Sequence, residues 1–310
     1  EPFVGPDPAG TPAHLVQGTR LLQQLALIPS GSIGEFVRSN PDVVTTLLAS
    51  PPAATDVSIW WGTMGLDSRN ALREVAPQLV GNLDGVPYAI RDLANRTALE
   101  STMAQLQSTI DTASGRTVVD NARRQLSMLQ SIADALSDGP ESHRTLMSLD
   151  VAGQGRAAIV LGDLRTADYV TYMVPGMFFT IEGQMVYWSD AAQRMGEEQR
   201  AWLAHYGDTT STVATIAWIG YHTPNLTNVG SMENALEGRD SLAQAVQGLQ
   251  ALRLGDEPYV SIIGHSYGST AALMALTDYD FEIDALAVVG SPGSAAQSVD
   301  ELHVKNGNVY

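Results

Sequence analysis

Apolar residues recur at helical spacing through the first half of the chain. Two long patterns cover residues 88–113 and 117–136, and the turn Ser114-Gly115-Arg116 between them predicts an antiparallel helical hairpin. Asn40-Pro41 is typical of a helix start, and Pro51-Pro52 of a helix end. Asp67 or Ser68 is expected to cap a further helix. These patterns predict a helical N-terminal region over residues 1–148 that packs on the rest of the chain as a lid or cap.

The rhythm changes at about Leu149 to short apolar segments that alternate with amphipathic ones. Repeated units of this kind predict a mostly parallel sheet with helices on both faces, over residues 149–310. The predicted strands are 156–161, 169–174, 213–219, 259–263 and 283–289, and the predicted helices are 181–205, 235–252 and a short one over 294–302.

Composition narrows the function classes. The chain has 310 residues, and its 34 acidic against 17 basic residues give a net charge of −17, which disfavours nucleic acid and anionic membranes as partners. The absence of cysteine excludes a thiol nucleophile and cysteine-based metal sites. No apolar run approaches the roughly 20 residues that span a bilayer. The chain begins at Glu1, so a removed signal peptide stays open, as does the choice between a secreted and a cytoplasmic protein.

The most informative motif is Gly264-His265-Ser266-Tyr267-Gly268. It follows the β-branched segment 259–263 and precedes a segment rich in helix formers. A G-x-S-x-G sequence between a strand and a helix is typical of a nucleophile elbow, in which a tight turn exposes the serine hydroxyl. The motif therefore predicts Ser266 as a nucleophile; a chance match is the alternative.

A serine nucleophile needs N–H donors for the oxyanion that it creates. One donor is expected from the Tyr267 backbone, directly after the serine. The other is expected from Met177, since Val174-Pro175-Gly176 ends an earlier strand and turns there. The alternative is that Pro-Gly simply ends the strand. Phe178 and the apolar residues near it suggest a pocket for acyl or aromatic groups, although such residues usually belong to a core.

The general base is harder to find. Asp300 and His303 follow Ser266 in the order Ser-Asp-His. However, the short helix expected before His303 carries it roughly 12 Å from the catalytic edge at 1.5 Å per residue. His222 follows a strand at the correct edge, but that strand is expected one place removed from Ser266, which favours a place in the pocket lining. No histidine pair has the spacing of a metal site, and no cofactor is expected.

Several segments together resemble one family. They are Gly81-Asn82-Leu83-Asp84-Gly85-Val86-Pro87, Arg91-Asp92-Leu93-Ala94-Asn95-Arg96, Val174-Pro175-Gly176, Trp218-Ile219-Gly220-Tyr221, the motif at Ser266 with Ser269, and Gly290-Ser291-Pro292-Gly293. The chain is similar to actinobacterial α/β-hydrolases long catalogued as a domain of unknown function. The resemblance implies an α/β-hydrolase fold and a serine esterase or lipase in which Ser266 is the nucleophile.

The same resemblance places the triad acid after a strand that begins at Asn308-Val309-Tyr310, and the histidine after a later strand. Both would lie beyond Tyr310, in a C-terminal segment of the same gene product. The chain departs from the family pattern by stopping before these strands. The polar clusters at Asn82–Asp84 and Arg91–Arg96 either face the active-site mouth or, more simply, cap turns and tie the helical region to the sheet.

These observations predict a carboxylic ester hydrolase that acts on a small-molecule or lipid ester. Two alternatives stay open. An acyltransferase would use the same serine with an alcohol in place of water, and a non-catalytic binding protein would keep the fold without a complete triad.

Overall fold

A computed structural model describes residues 13–137, 144–227 and 230–310. Among the described residues, eight α-helices precede the first strand: α1 (Ala13–Ala26), α2 (Ile33–Ser39), α3 (Pro41–Ala49), α4 (Ala54–Thr63), α5 (Leu66–Val75), α6 (Pro77–Asn82), α7 (Tyr88–Thr112) and α8 (Arg116–Leu136). The predicted helical hairpin is confirmed as α7 and α8. The capping prediction at Asp67 or Ser68 is wrong, because α5 begins at Leu66 with Gly65 as its N-cap.

The remaining chain alternates strands and helices. It comprises β1 (Arg144–Asp150), β2 (Arg156–Leu161), β3 (Tyr169–Val174), α9 (Ile181–His205), β4 (Val213–Ile219), α10 (Glu233–Leu252), β5 (Tyr259–His265), α11 (Tyr267–Asp278) and β6 (Ala285–Val289). The short helix predicted over 294–302 is replaced by an irregular segment with one 3-10 turn at Val299–Glu301.

The described strands form one sheet in the order β1-β2-β4-β3-β5-β6. Strand β2 runs antiparallel to both of its neighbours, and the pairs β4–β3, β3–β5 and β5–β6 are parallel. Beyond β6, Val309 forms a parallel bridge with Leu286. The carboxyl ends of β3, β4, β5 and β6 therefore lie at one edge, and this edge holds Ser266.

Helices cover both faces of the sheet, which explains why its central strands are apolar throughout. One face packs on α10 and α11 through residues such as Ile216, Leu249 and Ile262. The other packs on α7, α8 and α9 through residues such as Leu129, Ile159 and Met185. Helices α1 to α6 share a third apolar core around Leu47, Trp61 and Leu79.

The free edge of β1 is held by side chains, not by another strand. Asn82 accepts a hydrogen bond from the Leu149 N–H at 2.9 Å and donates one to the Leu149 carbonyl at 2.8 Å. Asp92 accepts from the Leu146 N–H at 2.7 Å, and Asn95 donates to the Leu146 carbonyl at 3.0 Å. We call these three side chains the β1 clamp. The clamp satisfies backbone groups that an edge strand would otherwise leave unpaired.

A β-bulge sets the spacing of the clamp. The pairing of β1 with β2 shifts register between Leu146 and Ser148. In a regular strand the N–H and C=O groups of every second residue point to the same side. Because of the bulge, the groups that point away from β2 belong to Leu146 and then to Leu149, three residues later. The polar clusters around Asn82 and Asn95 thus tie the helical region to the sheet, which was the simpler of the two interpretations of the sequence.

Candidate active site

Ser266 occupies a strained turn between β5 and α11. Its backbone has φ 51° and ψ −127°, a conformation that residues with a side chain rarely adopt. The flanking glycines permit the turn. A Cβ atom on Gly268 would lie 2.2 Å from the Pro175 carbonyl oxygen, and one on Gly264 would lie 2.7 Å from the Ser269 Cα atom. The geometry is that of the nucleophile elbow predicted from the motif.

A relay of hydrogen bonds supports the backbone of the elbow. The Gly293 N–H donates to the Ser291 hydroxyl at 3.0 Å, and Ser291 lies 2.7 Å from the hydroxyl of Ser269. Ser269 is fully buried and donates to the Ser266 carbonyl at 2.5 Å. The Ser266 N–H donates to the Val289 carbonyl at 2.8 Å. The loop after β6 and the end of β6 therefore hold the strained turn in place.

The loop after β3 runs directly against the serine. A Cβ atom on Gly176 would lie 2.7 Å from the Ser266 Cβ atom. Phe178 adopts a left-handed conformation with φ 65°, and its N–H donates to the Pro224 carbonyl at 3.0 Å. Among the described residues, the N–H groups of Met177 and Tyr267 have no hydrogen-bond acceptor. The predicted donor Tyr267 directly follows Ser266, and the predicted donor Met177 directly follows Gly176, which lies against the Ser266 side chain.

Two tyrosines fix this loop and the start of α10. The Tyr221 hydroxyl donates to the Pro175 carbonyl at 2.7 Å. The Tyr267 hydroxyl donates to the Ser231 carbonyl at 2.6 Å and accepts from the Ala235 N–H at 3.1 Å. Burial raises the pKa of both phenols. They therefore act as neutral structural donors at physiological pH.

His303 lies at the opposite edge of the sheet from Ser266. Its neighbour Val304 bridges Ile283, whereas His265 pairs with Val289. Six residues of strand separate these positions, or about 20 Å at 3.3 Å per residue. The His303 Nδ1 atom is bound to the Tyr279 carbonyl at 2.7 Å, and Asp300 is exposed in a 3-10 turn beside it. The structure does not bring Asp300 and His303 to the serine.

His222 lies at the catalytic edge but is engaged elsewhere. Its Nδ1 atom is 2.8 Å from Glu237 Oε1, and the same oxygen accepts from Arg156 Nη1 at 2.8 Å. Arg156 begins β2, which lies on the side of β4 away from β5. Burial raises the pKa of Glu237, but hydrogen bonds from His222 and the charge of Arg156 outweigh it, and the pKa is lowered. His222 is thus part of an ion network on the β2 side.

The predicted pocket residue Phe178 is 49% exposed, so it lies on the rim of the elbow and not in a closed pocket. Behind it, Phe179 packs edge to face on Trp188, with ring centroids 4.9 Å apart. Sequence reasoning did not assign a role to Ser269, Ser291 or Glu237, although the first two belong to the segments that carry the family resemblance. Within the described residues, no group of three or more carboxylates and histidines could hold a metal ion.

The strand order, the antiparallel strand β2 and the serine elbow are typical of hydrolases with an α/β fold, and comparison with known proteins supports this class. The chain belongs to the alpha/beta hydrolase family, whose model matches residues 150–310. It is 27% identical over 333 aligned positions to the uncharacterized protein Rv2079 of Mycobacterium tuberculosis, covering 97% of this chain and 50% of the relative. It is also 28% identical over 195 positions to the uncharacterized protein Mb0988c of Mycobacterium bovis, covering 60% of this chain and 71% of the relative.

The chain therefore spans about half the length of the longer curated relatives that it matches. No helix among the described residues is both long and apolar enough to cross a membrane.

Proposed function

We propose that the protein is a serine hydrolase that cleaves carboxylic esters through an acyl-enzyme on Ser266. The observation that carries the proposal is the strained elbow at Ser266, which lies against a loop whose Met177 N–H has no hydrogen-bond acceptor among the described residues. Backbone strain at a non-glycine residue persists only where the surrounding structure maintains it, and such sites cluster at active centres. Here the Ser269 and Ser291 hydroxyls maintain it.

In the proposed reaction, Ser266 Oγ attacks the ester carbonyl carbon and its proton passes to a base. The carbonyl oxygen becomes an oxyanion that accepts hydrogen bonds from the Tyr267 and Met177 N–H groups. The C–O bond to the alcohol then breaks, and the alcohol leaves with the proton from the base. Water attacks the acyl-enzyme by the same steps and releases the acid.

The base is proposed to be a group other than His222 or His303. His303 lies about 20 Å along the sheet from the elbow, and the Glu237–Arg156 pair holds His222 on the β2 side. The exposed ring of Phe178 beside the oxyanion loop favours a small-molecule or lipid ester with an apolar acyl or aromatic group.

A fluorophosphonate probe tests the nucleophile. We expect mass spectrometry to locate the adduct on Ser266, and Ser266→Ala to abolish labelling. Ser108→Ala, which removes an exposed serine hydroxyl from α7, is the matched control and is expected to label as the parent does. His222→Ala and His303→Ala are expected to label at rates within about twofold of the parent, since loss of a true base costs orders of magnitude. The parent in this experiment is the full-length gene product, since the resemblance places the base after Tyr310, and the proposal is contradicted if that product is not labelled.

A further inference from the structure

A cleft of about 340 Å³ lies between the N-terminal helices and the sheet. Its walls come from the α6–α7 connection, the ends of β1 and β4, the start of β2, and one face of α10. Its volume lies within the range of small-molecule sites, about 300–1,000 Å³. Strand β3 separates β4, which lines the cleft, from β5, so the cleft is distinct from the site at Ser266.

A buried ion pair reaches this cleft. Arg91 is only 1% exposed; its Nη1 atom donates to Asp84 Oδ1 at 2.5 Å, and its Nε atom to the Gly81 carbonyl at 3.0 Å. Within the part of the chain that the structure describes, Arg91 Nη2 and Asp84 Oδ2 have no hydrogen-bond partner. Burial raises the pKa of Asp84 although Arg91 opposes the shift.

This pair differs from its neighbours in the same polar clusters. Asn82, Asp92 and Asn95 form the β1 clamp, but neither Asp84 nor Arg91 bonds to β1. Ser241 and Gln244 of α10 also line the cleft, and their side chains likewise have no hydrogen-bond partner among the described residues. Within the part of the chain that the structure describes, the cleft is therefore lined by both donors and acceptors that have no protein partner.

The charges of the cleft favour a neutral ligand. Arg91 is neutralised by Asp84, and Arg156 is bound both by Asp150 at 2.7 Å and by Glu237 at 2.8 Å. An anion would meet no uncompensated cation there and would be repelled by the net charge of −17. A cation would likewise meet no uncompensated carboxylate, since Asp84 is paired with Arg91 and Asp150 with Arg156.

We propose that this cleft binds a neutral polyhydroxylated small molecule such as a saccharide or cyclitol. Adjacent hydroxyl groups match the ion pair, because one can accept a hydrogen bond from Arg91 Nη2 while its neighbour donates to Asp84 Oδ2. Ser241 and Gln244 bind further hydroxyl groups of the ligand. The proposal does not depend on the chemistry at Ser266.

Saturation-transfer NMR on the 310-residue chain tests this site with glucose, maltose and myo-inositol at millimolar concentration. We expect saturable binding of at least one of them, and weaker or no binding of glucose 6-phosphate and choline. Gln244→Ala is expected to weaken binding at least threefold with an unchanged melting temperature. Gln105→Ala, which removes an exposed glutamine outside the cleft, is expected to leave binding unchanged.

Three results overturn the proposal: no binding of any neutral probe, preferential binding of the phosphate ester or of choline, or equal binding by the parent and Gln244→Ala. If Gln244→Ala fails to fold, Ser241→Ala is measured in its place with the same expectation. Labelling of Ser266 by the fluorophosphonate probe is expected to be unchanged in both variants, so the two sites are tested separately.

Discussion

Ser266 affects both function and stability, because its side chain is the proposed nucleophile and its backbone is strained. A φ of 51° with ψ −127° costs a residue with a Cβ atom about 1–3 kcal/mol, whereas glycine adopts it readily. The Gly293–Ser291–Ser269 relay ends on the Ser266 carbonyl and opposes relaxation of the turn. The protein therefore gives up stability at the point where the proposed chemistry needs an exposed hydroxyl.

Two variants that both delete the hydroxyl test this strain. We expect Ser266→Gly to be more stable than Ser266→Ala by about 1 kcal/mol, because only glycine adopts this backbone conformation without strain. The relief of strain is partly offset by the greater conformational entropy that glycine gives the unfolded chain. Urea unfolding followed by circular dichroism measures the difference, and both variants are expected to lose fluorophosphonate labelling. Equal stabilities of the two would show that the turn is not strained.

Among the secondary-structure elements, the central ones could be read from the sequence and the edge strand could not. The boundaries of β2, β3, β4 and α9 match the predicted segments because each is buried on the sheet and carries a strong apolar pattern. Strand β1 has a bulge that interrupts its alternation, and its clamp comes from residues about 50–70 positions earlier in the chain. Local patterns do not contain such long-range pairings.

The candidate site shows the same division. The turn at Ser266 and Tyr267 was predictable because a nucleophile elbow is built from adjacent residues. The loop at Met177 was placed from the Pro-Gly that ends β3, and its role as an oxyanion donor stays a prediction. The distance of His303 from the serine was expected, although the short helix that was expected to produce it is an irregular segment with one 3-10 turn. The hydroxyl relay through Ser291 and the Glu237 partner of His222 depend on contacts between separate elements, and no spacing rule reveals them.

The β1 clamp is expected to contribute substantially to stability. Asn95 is fully buried and donates to the carbonyls of both Gly81 and Leu146. Asn95→Ala leaves the Leu146 carbonyl unpaired, whereas the Gly81 carbonyl keeps its bond from Arg91 Nε, and the free energy of unfolding is expected to fall by about 1–3 kcal/mol. Gln105→Ala on the same helix is the control and is expected to change it by less than about 0.5 kcal/mol. A loss as small as the control's would mean that the clamp is not structural.

The network that links α10, β2 and the loop after β4 is expected to make stability depend on acid pH. The pKa of Glu237 is lowered from its ordinary value of 4.5, so its stabilising effect is complete above pH 4.5 and is lost as the pH falls through the lowered pKa. At pH 7 the free energy of unfolding of Glu237→Gln is expected to be about 1 kcal/mol lower than that of the parent, a small difference because Glu237 is partly exposed. The free energies of the two proteins are expected to converge near pH 3. A gap that stays constant with pH would contradict this assignment.

On the scale of the whole molecule, the helical region and the sheet are structurally dependent on each other. The family match begins at residue 150, yet β1 starts at Arg144 and α8 supplies Leu129 and Ile132 to the core that covers Ile159 and Ile219. The matched segment alone would expose to water the part of this apolar face that α7 and α8 cover.

We therefore expect a fragment of residues 150–310 to unfold without a cooperative transition and to bind the dye ANS, whereas the 310-residue chain unfolds cooperatively. Thermal circular dichroism and dye fluorescence measure both. A fragment with a sharp transition near that of the full chain would show that the helical region is dispensable for folding.

The β1 clamp also bears on association between molecules. An exposed edge strand recruits strands from other chains, and here the outward N–H and C=O groups of Leu146 and Leu149 are already occupied by side chains. These side chains thus act as a barrier to polymerisation as well as a brace. Substitution of these side chains is expected to cause intermolecular β-pairing in a concentrated solution before it disturbs the elbow at Ser266.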